Sequence, residues 1–132
     1  MELYRAVAEE AGMEVQVSSR FDERRLVKAL EAGLPVIVWR RVTEEREKAH
    51  AAFAKRLSRE PELRVPPSSP RQWPRRESKR LPSHGSVLTG YNAERKEVMY
   101  AEPWGADMSK RRMSAAELAA SVYAAFYFRF EK

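Results

Sequence analysis

Apolar residues at Leu3, Val7, Ala8 and Ala11 fall on one side of a 3.6-residue turn, and Gly12 follows them. That spacing predicts a helix which stops at the glycine. A short strand over 14–17 should come next. Asp22 is placed to cap a second helix, whose buried face is Leu26, Ala29 and Leu30 and whose end is Gly33. "PVIVWR" then reads as a buried strand, a β-branched run ended by charge. Thr43 can cap a third helix, in which Ala49, Ala52, Phe53 and Leu57 form only a narrow apolar stripe. The expectation is a surface helix with His50 on its solvated side. Further on, "SVLTGY" and "EVMYAE" flank "NAERK", a connection headed by the turn former Asn92, which predicts an antiparallel hairpin. The chain closes with a helix, "SAAELAASVYA", capped by Ser114 with Glu117 completing a capping box, and an aromatic strand, "AFYFRF". Lys110, Arg111 and Arg112, just before that helix, read as a solvated edge. Together the elements predict an α+β domain with a mainly antiparallel sheet packed with helices.

Composition narrows the chemistry. At 132 residues, 43% hydrophobic and 33% charged, one compact domain can bury a core without disulfides. The absence of cysteine removes disulfides, thiolate metal sites and a thiol nucleophile. Two histidines far apart in sequence offer no usual metal-ligand spacing, so no metal or other cofactor is expected. Neither G-x-G-x-x-G nor another phosphate-cradling glycine loop is present. No apolar stretch approaches the roughly 20 residues of a spanning helix, and the first residues lack the pattern of a signal peptide, so a soluble chain is expected.

The net charge of +6 makes a polyanion a candidate partner. The charge is concentrated over 61–82, where Arg64, Arg71, Arg75, Arg76, Lys79 and Arg80 face only Glu62 and Glu77. That stretch is crowded with Pro and Ser and reads as an irregular insertion, solvated and partly mobile. Trp73 among the cations gives it a second reading: Arg71, Trp73, Arg75, Arg76, Lys79 and Arg80 as a nucleic-acid-binding loop in which the indole stacks a base.

The hairpin carries the sharper signal. His84 stands at the head of its first strand and Glu102 at the tail of its second. With a register symmetric about the turn these two meet, and a carboxylate beside an imidazole fixes its tautomer and orientation.

These residues resemble a known family. "GLPVIVWRR", "HGSVLTGYNAERKEVMYAEPWG" and "AAFYFRF", in that order, are similar to the downstream part of papain-like cysteine peptidases related to the bacteriocin-processing peptidases, peptidase family C thirty-nine. The likeness covers roughly 22–40 and 84–130, with the first helix more loosely, and leaves out the 61–82 loop. It implies a papain-like fold and makes His84, opening an "HxxVxxGY" pattern with Val87, Gly90 and Tyr91, the catalytic histidine. Glu102, followed by Pro103, Trp104 and Gly105, becomes its orienting partner. The chain departs from the family twice: its nucleophilic Cys has no counterpart here, and Glu102 stands where Asp or Asn is common. The resemblance therefore implies either a piece of a thiol peptidase or a non-catalytic relative that binds peptide or protein in the same cleft. Apolar surface that the family covers with its Cys-bearing helix would favour self-association.

Overall fold

The structure, a computed structural model, describes residues 2–102 and 110–130. Six strands, β1 (Met13–Ser18), β2 (Val36–Arg41), β3 (Ser83–Asn92), β4 (Glu97–Ala101), β5 (Arg111–Ser114) and β6 (Val122–Phe130), form one sheet in the order β1-β6-β2-β3-β4-β5. Every pairing is antiparallel. Four α-helices, α1 (Glu2–Glu10), α2 (Glu23–Glu31), α3 (Glu44–Arg59) and α4 (Ala115–Ser121), complete an α+β architecture.

The pleat of β2 divides the molecule. Val36, Val38 and Arg40 point to a buried face, while Ile37, Trp39 and Arg41 point to a half-covered one. The first face, with Leu88, Val98, Tyr100, Met113 and Val122, is packed by Leu26 and Ala29 of α2 and Leu118 of α4. On the other face Ala8 of α1 joins Val15 and Phe126, and the Tyr4 ring lies 4.6 Å from that of Phe126. Tyr4 and Ala8 thus form the seating of α1, and Val7, expected to share that role, is exposed.

Local chemistry explains the ends of the elements. Asp22 accepts from the amides of Arg24 and Arg25, and Gly33 adopts φ +75°, the left-handed conformation that closes α2 at little steric cost. Thr43 caps α3, whose first turn holds Glu44, Glu45 and Glu47 and whose last holds Arg56 and Arg59, complementing the helix dipole at both ends. In the hairpin Asn92 Oδ1 accepts from the Arg95 amide at 3.0 Å, the turn chemistry expected of it.

Four expectations are corrected. The last helix stops at Ser121 and Val122 already belongs to β6, because ladder bonds to β2 at Arg40 and Trp39 claim the β-branched and aromatic segment. The basic run before it is a strand, β5, that buries Arg111 and Met113 against β4. His50 is buried rather than solvated, at 4% exposure. Ser114 caps α4 by accepting from the Glu117 amide, but the Glu117 carboxylate turns away to Arg46 and His50.

The 61–82 segment is irregular apart from one 3-10 turn, Pro70–Gln72. It is docked rather than free. The Val65 amide donates to Glu97 Oε2 at 2.9 Å, and the Arg76 amide donates to the Ala120 carbonyl at 2.8 Å. The Arg76 guanidinium donates to the carbonyls of Val122 (3.1 Å) and Ser19 (2.8 Å).

Candidate functional site: a buried charge cluster under helix α3

Three elements converge where the buried sheet face reaches the ends of β3 and β4. His84 and Ser86 project from β3 on the same side, since they are two residues apart. Pairing of Val87 with Ala101 brings Glu102, one residue past β4, alongside Ser86. The hairpin register is shifted by an irregularity between Leu88 and Gly90, so it is not symmetric about the turn. With Val87 opposite Ala101, Glu102 falls opposite Ser86 and His84 lies two residues beyond it; the shift has brought the two one residue closer than the register at the turn would. The two still approach: one ligand atom each from Glu47, His84 and Glu102 lie within 4.8 Å of one another.

The partner of Glu102 is Arg40, the largest fully buried side chain. Its Nη2 donates to Glu102 Oε1, and its Nη1 and Nη2 donate to the two carboxylate oxygens of Glu47 at 3.1 and 3.0 Å. Its Nε donates to Ser86 Oγ, and Ser86 in turn donates to Glu102 Oε1 at 2.9 Å. The guanidinium lies 5.2 Å from the centre of the Tyr100 ring, within cation–π range. Burial works against the Arg40 charge, but the Glu47 and Glu102 carboxylates outweigh it and hold the group protonated. Burial likewise pushes the Glu47 carboxyl up, and the Arg40 bonds more than reverse this, so Glu47 titrates below its ordinary value.

His84 Nδ1 lies 3.3 Å from Glu47 Oε1, so the carboxylate closest to the ring among the described pairs comes from α3. With Glu44, Lys48, Ala51, Glu102 and Arg111, these two line a solvent-open depression of about 250 Å³. Glu102 Oε2 is buried there with no hydrogen-bond donor among the described residues. A second cluster sits further along α3. Arg46 donates to both oxygens of Glu117, and His50 Nε2 donates to Glu117 Oε2 at 2.9 Å, which ties α3 to α4.

The structure thus brings His84 and Glu102 to one site. Pro103, Trp104 and Gly105, which follow Glu102 in the family pattern, lie outside the described residues. Reading the sequence missed Arg40, Glu47 and Arg111. A basic residue at the end of a strand and an acidic one in the first turn of a helix look like ordinary boundary charges. Only the alternation Val36, Val38, Arg40 pointed inward. Of the basic-loop set, Arg71, Arg75, Lys79 and Arg80 are exposed. Arg76 is occupied by backbone carbonyls, and the Trp73 indole donates to Ser68 Oγ at 2.8 Å.

No helix among the described residues is long and apolar enough to cross a membrane. No family model, no curated protein and no solved structure matches this chain.

Proposed function

We propose that this is a papain-like, peptidase-related domain, a piece of a thiol peptidase or a non-catalytic relative, that binds peptide in the depression between α3 and the ends of β3 and β4 and within these 132 residues holds no thiol with which to cleave it. The observation that carries this reading is the approach of His84, on β3, and Glu102, just past the end of β4, beside a solvent-open depression. Hydrolysis by the thiol route requires a nucleophile to attack the carbonyl while the histidine shuttles its proton. With no cysteine in the sequence, the His84 ring has no thiol to activate. Glu44, Glu47 and Glu102 are matched by Lys48, Arg111 and the buried Arg40, so the charge of the depression selects no one class of peptide.

Titrating short basic and acidic peptides and following the His84 ring by NMR tests the reading, with EDTA present throughout. A peptide that binds should shift His84, and His84→Ala and Glu47→Gln should weaken binding about tenfold or more, with no cleavage in the presence or absence of a thiol reagent. Indifference to both substitutions, or cleavage, would count against it. Retention on duplex nucleic acid that falls steeply with salt and is lost in an Arg71, Arg75, Lys79 and Arg80 alanine variant would favour the basic loop instead. Sedimentation at micromolar concentration checks the related expectation of self-association.

A further inference from the structure

We infer that Glu47, His84 and Glu102 form a binding site for a divalent transition-metal ion of the zinc class. It uses the side chains that line the proposed peptide site but does not rest on peptide binding, since the metal alone is titrated in its test.

The residues come from α3, β3 and the end of β4, and one ligand atom of each lies within 4.8 Å of the others. Around a zinc ion with bonds of about 2.0–2.2 Å, neighbouring ligands sit roughly 3.5 Å apart, so a modest contraction of the three closes a shell. Glu102 Oε2 gives the second, separate indication. The residue is 5% exposed, its other oxygen is taken by Arg40 and Ser86, and Oε2 receives no donor among the described residues. Arg40 already balances the charge of this carboxylate, but a buried oxygen left with neither a donor nor a cation is still costly. A cation bound by Glu102, the His84 ring and Glu47 would give that oxygen a partner, and the solvent-open side leaves a position for water.

One imidazole with two carboxylates suits zinc, cobalt and manganese, and the imidazole moves the preference away from magnesium and calcium. Arg40 acts on the site in two ways. Its hydrogen bonds hold both carboxylates in place, as outer partners of metal ligands commonly do. Its charge, with that of Arg111 in the wall, opposes the ion and sets the affinity well below that of a closed structural zinc site.

Calorimetry of the metal-free protein with zinc chloride, with magnesium and calcium as comparisons, tests the assignment. Zinc should bind at one site per chain, and a hundredfold excess over Kd should raise Tm by roughly 5–10 °C. His84→Ala, at a half-exposed position where the fold is not at stake, should weaken binding at least tenfold, as should Glu102→Gln. His50→Gln should leave zinc affinity unchanged. Arg111→Met, which removes a like charge, should tighten it. Absence of zinc binding at submillimolar concentration overturns the assignment, as does binding that survives His84→Ala or is lost in His50→Gln.

Discussion

Arg40 shows what a single buried charge does to this fold. At 2% exposure it holds Glu47 and Glu102 together from two directions and stacks over Tyr100. Replacing a whole buried ionic cluster with apolar groups is often neutral, but removing one partner strands the others in a medium of low polarity. Arg40→Met should therefore destabilise the protein by about 3–5 kcal/mol, read from urea unfolding at neutral pH. Adding Glu47→Gln and Glu102→Gln should recover part of that loss, because the stranded charges are then gone. If Arg40→Met costs no more than a surface substitution, the cluster is not holding α3 to the sheet. Arg40 also marks where reading the sequence runs out. His84 and Glu102 were legible because each stands alone at the edge of an apolar run, whereas the pairing of Arg40 with Glu102 follows only from the sheet register and that with Glu47 only from the seating of α3 against the sheet.

At the scale of elements, the 61–82 segment behaves as a strap. Arg76 fastens it by its backbone amide to the end of α4 and by its guanidinium to Val122 and Ser19. Its neighbours Arg71, Arg75, Lys79 and Arg80 are exposed, and each is a site that trypsin recognises. Arg76→Ala removes two charge-assisted bonds and should cost about 1–2 kcal/mol. Local opening of the strap should then raise the rate of tryptic cleavage at these residues roughly tenfold, while the sheet stays resistant. Equal cleavage in the two proteins would mean that Arg76 is not the fastening. Long periodic segments were the most legible elements: α2, β2, α3 and the hairpin carry their own apolar pattern and their own caps. β5 was hidden because Arg111 and Arg112 read as charge and only four residues pair, so its strand character comes from β4 beside it. The early end of α4 has the same origin, a ladder with β2 that no local signal announces.

For the molecule as a whole, the positive excess and the buried carboxylates together decide the response to acid. Glu117 is nearly inaccessible; burial alone would raise its carboxyl, but His50 and Arg46 outweigh burial and lower it from 4.5 to about 2. A group whose folded value lies below its unfolded one binds its proton more readily when unfolded, so it stabilises the fold fully above about pH 4.5 and loses that contribution as pH falls towards 2. Over the same interval the other carboxylates neutralise, and 25 lysines and arginines are left with only protonated acids beside them. Self-repulsion then grows as the α3–α4 tie weakens. Tm should be nearly level between about pH 5 and 8 and fall steeply below pH 4.5. Added salt should restore part of the loss, the part due to repulsion. Glu117→Gln separates the two causes. It should lower Tm at neutral pH, because Arg46 and His50 lose their charged acceptor, and it should flatten the acid limb, because no carboxyl remains there to protonate. An acid limb equally steep in Glu117→Gln would show that repulsion alone unfolds the protein and that the buried link between α3 and α4 is not the point at which acid acts.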